Sequence, residues 1–480
     1  MNDLELIRQL DRQLVDDYQL ARNYCLDVPT YALVHLRSVA HKITTELGRR
    51  AEVEFRSKNL YDRIEQLAKG KQIDMRLARK LHKLRNDGNK GAHPEKYRLS
   101  PEQLVQLAAK SVKDTARLAA ELFPLLTGQP APHWQFEPVD AEAGRELCYR
   151  AVMQDDAEAQ YLVGLSLKSR GLMKRQREHS FALANNSTSV DLEPSQDDLR
   201  QAAHWFARAA DRHAGARFEH GVALLHGYGE GEGSLALIQA AAEAGNADAL
   251  ALLGYFAQTG SHGHALDPAL AERYLLAAVE QDQPEAMANL AVLYYQGSLG
   301  QPDWQRARHY AEQGAQAGYP HAQYQLAVML FAGEGGNAEP ESALQWLRQA
   351  AEQHYPEALA DLAQRTLDGD GVEANPAAAA SLYREAIRFG RLPRAMFELA
   401  LAHFDGEVPD RDLAEAAQLL HGAYRYAPKG SELAEAIWQL APELVRQLDR
   451  AEPEDEGAAE ALAQGRALFD PVGYPLGDRH

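Results

Sequence analysis

Cysteine is nearly absent: Cys25 and Cys148 are the only two in 480 residues. So few, so far apart, they form neither a disulfide framework nor a thiolate metal site, and they suit a reducing compartment. Long apolar runs are missing as well. No stretch approaches about 18 apolar residues, so no segment is expected to span a membrane. The start, MNDLELIRQLDRQL, is charged from the outset and lacks the apolar core of a secretory signal. Glycine-rich loops such as GYGEGEG from Gly227 and GDGV from Gly369 have no Lys-Ser/Thr after them and no strand before them. They read as turns, not phosphate cradles. His262 and His264 are two loop histidines, too few for a metal site. The expectation is a cytoplasmic protein with no metal, no cofactor and no membrane contact.

Basic charge is scarce overall but unevenly so. The chain carries 50 Lys+Arg against 69 Asp+Glu, a net of −19. Residues 1–123 alone have a net of +6, and the remainder a net of −25. A basic head precedes an acidic body that repels nucleic acid and suits basic protein surfaces. Hydrophobic content of 45% is ordinary for a globular chain.

What is there is a repeat. Leading segments start at Ala216, Ala249, Ala286, Ala322, Ala358 and Ala395, at steps of 33, 37, 36, 36 and 37 residues. A period of that size marks a solenoid of helix pairs. In the unit from Pro320, Ala322, Leu326, Ala327 and Leu330 recur at helical spacing. GEGGNAEPES then breaks the pattern, and SALQWLRQAAEQH puts Ala343, Trp346, Leu347, Ala350 and Ala351 on one face. Small residues let the two helices approach, and stacked neighbours supply the core that one pair lacks.

The pattern A-x3-L-[GA], a Gly-rich loop, then W-x3-A-A resembles Sel-one-like repeats, relatives of tetratricopeptide repeats. The resemblance covers about 157–426, seven units. Val163 and His220 replace the usual Leu in the first two units. It implies a right-handed superhelix whose concave side binds proteins, in a bacterial adaptor or regulator. It places partner contacts at exposed first-helix positions such as Asn289, Tyr324 and Arg394.

The head, 1–123, reads as helices. Leu4, Ile7, Leu10, Leu14 and Tyr18 form a first stripe. Pro29 opens a second helix, Asn59 caps a third, a fourth runs from Arg76 to Leu84, and Ser-Pro-Glu at Ser100 opens a fifth. The fourth is expected to stop at RNDGNKGAH, where Asp87-Gly88 and Gly91 interrupt it. Residues 124–140, rich in proline, read as an extended linker, with Trp134 and Phe136 pinning it to the first helix pair. Residues 141–430 are the solenoid. Residues 431–480 are a capping helix and an irregular tail. The step from Ala159 to Ala216 is 57 residues, and the excess, 170–198, reads as a loop.

Leu36–Ile43, LYDRIEQLAKGKQI at Leu60–Ile73 and LHKLRNDGNKGAH at Leu81–His93 together resemble a widespread uncharacterised bacterial domain. That domain also precedes type I restriction enzyme R subunits and has been grouped with the HEPN superfamily, which includes RNases. The resemblance makes Arg85, Asn89 and His93 candidate catalytic residues of a metal-independent endoribonuclease, by acid–base action and charge stabilisation. It also brings in a homodimer and defence against foreign DNA. His41 stands where a glutamate is common, and seven residues separate Arg85 from His93, one more than the HEPN pattern has. A plainer reading has Arg85, Asn89 and His93 bonding helix ends around a Gly88 turn. Arg76, Arg79, Lys80 and Lys83 fall along one helical stripe that could follow phosphates; no interleaved aromatics support base stacking.

The expected architecture is therefore all-α: a helical head, a linker and a solenoid of about seven helix pairs. The expected function is protein binding by the solenoid, with the head dimerising or sensing nucleic acid. The rival reading is a ribonuclease head controlled by the solenoid.

Overall fold

A computed structural model describes residues 1–92, 97, 99–137, 143–184, 193–409, 411–453 and 456–468. Among them, all regular structure is helical. The head holds α1 (Asp3–Leu10), α2 (Val15–Tyr24), α3 (Pro29–Arg50), α4 (Leu60–Lys69), α5 (Met75–Ala92) and α6 (Pro101–Thr127). After α7 (Ala143–Met153) come seven helix pairs in succession. These are α8 (Ala157–Ala184) and α9 (Glu193–Ala209), then α10 (Ala214–Leu225) and α11 (Ser234–Glu243). Next are α12 (Ala247–Thr259) and α13 (Pro268–Val279), α14 (Pro284–Tyr295) and α15 (Trp304–Gln316), α16 (Pro320–Ala332) and α17 (Pro340–Glu352). The last are α18 (Pro356–Asp368) and α19 (Pro376–Gly390), and α20 (Pro393–Asp405) and α21 (Leu413–Tyr426). Two further helices follow, α22 (Glu432–Arg450) and α23 (Glu456–Ala467). The chain forms two compact units, residues 1–329 with 333–337, and residues 330–332 with 338–480.

The repeat period has a direct physical basis. The leading alanines Ala216, Ala249, Ala286, Ala322, Ala358 and Ala395 are all fully buried. So are Ala241, Ala278, Ala311, Ala350, Ala386 and Ala423 on the second helices. A methyl group is all the space between paired backbones accepts. Helix starts are set by proline in the first turn, as in α14, α16, α18 and α20, or by side-chain caps such as Asn246 on Ala249 N and Asp267 on Leu270 N. In the second unit, α22 closes the array, with Ile437, Ala441 and Leu444 buried in one cluster with Ala417 and Leu420 of α21.

The head has its own core, in which Leu6, Tyr18, Leu33, Leu36, Ile43, Ile64, Leu81 and Leu122 are fully buried or nearly so. Four details differ from the sequence reading. The first stripe is two helices, because Asp11 is extended and its carboxylate accepts from Gln13 N. The helix expected to stop at Leu84 runs on to Ala92. Gly88 and Gly91 are not breaks there. They are where α5 touches α3: a Cβ on Gly88 would lie 2.4 Å from Arg37 Cβ, and one on Gly91 2.4 Å from Leu33 Cβ. Trp134 and Phe136 pack on the head's core rather than on the first helix pair. Gln135 N donates to Met1 O at 3.0 Å, which ties this segment to the chain's start. Finally, the segment expected as a loop is largely taken up by lengthening α8 to Ala184 and starting α9 at Glu193; residues 185–192 lie outside the described residues.

Two stability predictions follow from this packing. Gly88→Ala should cost about 1–3 kcal/mol by overpacking α5 on α3, read by chemical denaturation; an unchanged midpoint would refute the close-approach account. The second concerns His321, whose pKa burial pushes down to about 4. Gln325 Nε2 donates to its Nε2 at 2.9 Å, a bond that needs the neutral ring. The unfolded chain takes up the proton below about pH 6.5 and the folded chain does not, so this stability is present above pH 6.5 and lost as pH falls toward 4. Melting temperature should fall over that window, and less steeply in His321→Gln.

Candidate functional site

The head's α3, the start of α4 and Tyr97 meet the repeats at the tight turns between successive pairs. The chief contact is a helix end. Asn59 caps α4 through Tyr61 N at 2.8 Å and turns its own amide to Val279 O at 3.3 Å. The next backbone amide, Leu60 N, donates to Asp282 Oδ2 at 3.0 Å, so a carboxylate from the turn between α13 and α14 sits on the N-terminus of α4. Arg37 Nη2 donates to Gln281 O at 2.6 Å and lies 3.5 Å from the same carboxylate. Lys58 pairs with Glu280 at 3.0 Å. One pair further on, Tyr97 OH donates to Ala317 O at 3.4 Å and its ring meets Tyr319 edge-on. The first repeat joins from the other side. Tyr24, Val28 and Tyr31 share a cluster with Leu147, Ala159 and Leu162.

Arg85 and Asn89 lie on α5, four residues apart and both fully buried. Arg85 stacks over the Tyr61 ring at 4.9 Å, and its Nη2 donates to Asn86 Oδ1 at 3.1 Å. Its Nε and Nη1 have no hydrogen-bond partner, and neither has either amide atom of Asn89. Burial holds the Arg85 pKa below the usual guanidinium range, with Asp282 the main opposing charge. Burial and Arg85 likewise push His82 down. The expectation that Arg85 and Asn89 bond helix ends at a Gly88 turn does not hold, because α5 has no end there. His93 lies outside the described residues. A polynucleotide cannot reach Arg85 in this arrangement.

The basic stripe is largely answered from within the head. Lys80 pairs with Glu121, and Arg76 lies 3.9 Å from it. Lys83 bonds Asp87 at 3.1 Å and Asp114 at 2.9 Å. Arg79 is exposed. Of the three first-helix positions, Asn289 is buried at 8% exposure, not exposed as expected, because both faces of α14 are covered. Tyr324 is half-buried. Arg394 is about half-exposed and held by Asp361 at 2.8 Å and Glu398 at 2.6 Å. His262 and His264 lie against the Phe256 ring. Among the described residues, no three His, Cys, Asp or Glu side chains converge as a metal site would. No described helix is long and apolar enough to cross a membrane.

Family comparison meets this geometry segment by segment. The Sel1 repeat matches residues 157–185, 191–213, 247–283, 284–319, 320–355, 356–388 and 393–425. The chain carries Sel1 repeats. The first two segments are α8 and α9, the halves of one lengthened pair, while α10 and α11 fold as a pair outside the matched segments. Residues 19–122 match a domain of unknown function, DUF4145. Comparison with curated proteins finds no match. Among solved structures, a Sel1 repeat protein from Oxalobacter formigenes is 23% identical, with a TM-score of 0.44 over 48% of this chain and 95% of its own. The protective antigen c5321 of uropathogenic Escherichia coli is 19% identical, TM-score 0.47, over 98% and 96%. Yeast Tom70 is 13% identical, TM-score 0.37, over 98% and 93%. Solenoids of Sel1 and tetratricopeptide type are in general protein-interaction scaffolds.

Asp282→Ala should remove the carboxylate from the α4 N-terminus and leave Arg37 and Arg85 without their shared counter-charge. The expected loss is about 3 kcal/mol, with faster hydrogen exchange at Leu60 and Tyr61. Unchanged exchange at those amides would show that the Asp282 contact does not hold the head.

Proposed function

We propose that this chain is a cytoplasmic adaptor whose Sel1 repeats bind a partner protein, with the DUF4145 head serving as a fixed part of the scaffold. The observations that carry this reading are the seating of the head on the turn between α13 and α14 and the full burial of Arg85. A head that presented a nuclease centre would keep that guanidinium open to its substrate. Here it is fully buried, with the Tyr61 ring against it and Asp282 as its main opposing charge. The acidic balance of the body favours partners with basic surfaces. The two free cysteines fit a reducing compartment.

The experiment is recovery of the tagged full chain from its native cytoplasm, with and without nuclease, read by mass spectrometry. A stoichiometric protein that survives nuclease is the expected result. Arg394→Glu together with Tyr324→Ala should cut its recovery about tenfold, equivalent to about 1.4 kcal/mol. Recovery of nucleic acid without a protein partner would overturn the adaptor reading. Ribonuclease activity of the intact chain that is lost in Arg85→Ala would also overturn it.

A further inference from the structure

The helix that precedes the repeats turns an apolar face to water. α7 buries Leu147 and Ala151 in one cluster with Tyr24 and Val28 of the head and with Ala159 and Leu162 of α8. Its opposite side carries Tyr149, Val152 and Met153, which are 53%, 56% and 69% exposed. Spacings of three and four put these three on one stripe of the helix. Cys148 beside them is exposed as well.

A stacked array needs terminal helices with a polar outer face. The closing helix has one. Apart from Pro442, every exposed position of α22 is polar, Glu432, Glu435 and Arg446 among them. α7 does the reverse. Exposed aromatic and aliphatic side chains gathered on one face mark a contact surface.

The charges around the stripe say what can meet it. Residues 124–480 carry a net of −25, so two copies repel each other over most of that surface. At the end of α7 the charge is cancelled. Arg208 and Arg212 each pair with Asp155 at 3.1 Å, and Arg150 pairs with Asp156 at 2.5 Å. At its start, Arg145 and Glu146 have opposite signs. The stripe is apolar in the middle and balanced at both ends, so two copies can approach there without that repulsion. Setting α7 antiparallel to a copy of itself puts each N-terminus beside the other's C-terminus, which the helix dipoles favour. With the two-fold axis between residues 150 and 151, Tyr149 meets the partner's Val152, large against small, and Met153 flanks the pair. Joining copies end to end has no such match, because the polar α22 offers nothing for the stripe to pack on.

We propose that α7 is a two-fold interface through which two copies of this chain associate, antiparallel, with Tyr149 of each against the partner's Val152. The contact is one helix long, at the low end of specific interfaces, so half-dimerisation is expected at about 10–100 µM. The proposal goes beyond the adaptor reading and does not depend on it. A pair of chains would carry the repeats twice, and two linked sites hold a multivalent partner more tightly than one.

The test is sedimentation velocity of the full chain in reducing buffer, over a concentration series spanning that range. The wild type should pass from monomer to dimer. Val152→Glu and Tyr149→Glu, both at exposed positions, should each weaken association at least about tenfold, with the melting temperature of the monomer unchanged. Val152→Ile should keep it. Tyr149→Arg combined with Val152→Glu sets opposite charges across the two-fold axis, and should associate at least about threefold more tightly than Val152→Glu alone. A monomer at every concentration would overturn the proposal. So would a dimer indifferent to Val152→Glu, oligomers that keep growing with concentration, or a double variant no tighter than Val152→Glu. A monomeric wild type that loses a different protein partner in Tyr149→Glu would give the stripe to that partner, and overturn the proposal too.

Discussion

Within the first compact unit, the charged contact between head and repeats is centred on one carboxylate, Asp282. It sits in the turn between two repeat helices, receives the first free amide of α4 and opposes two arginines. Two features depend on it. It ties α4 and Arg37 to the turn between α13 and α14, and it is the main charge that opposes the buried Arg85. Burying an ion pair is seldom a source of stability, because desolvation consumes most of the attraction. Its consequence is definition: a carboxylate on a helix end accepts one geometry and rejects its neighbours.

The repeats were legible in the sequence because their determinant is local. A buried alanine is needed wherever two helix backbones come closest, and the need returns with each pair, so Ala249, Ala286, Ala322, Ala358 and Ala395 announce the period without reference to anything distant. The insertion at 170–198 escaped this logic. Added length in a helical array can be absorbed as longer helices as readily as in a loop, and polar composition alone does not distinguish the two.

The head was harder to read for a different reason. Gly88 and Gly91 look like a helix stop, since glycine serves turns and close approaches equally well, and only the partner helix tells which. Arg85 and Asn89 stood out in the sequence as candidate catalytic residues, but the order of residues on α5 carries no hint that both would be fully buried. Asn289 illustrates the same limit. Its place on a first helix was readable, its burial was not, because exposure is a property of what packs around the helix.

Enclosure changes what the unusual residues mean. An arginine and an asparagine one turn apart on a helix suggest phosphate chemistry as long as the helix faces solvent. Once both are buried, the two part company. Arg85 has an aromatic ring beneath it and a carboxylate as counter-charge, so its burial is balanced in charge even though two of its donors go without partners. Asn89 has no such compensation, since neither atom of its amide has a hydrogen-bond partner. A buried amide carries no charge with which to stabilise a leaving group. Both residues that first pointed to catalysis lie out of a substrate's reach in this arrangement.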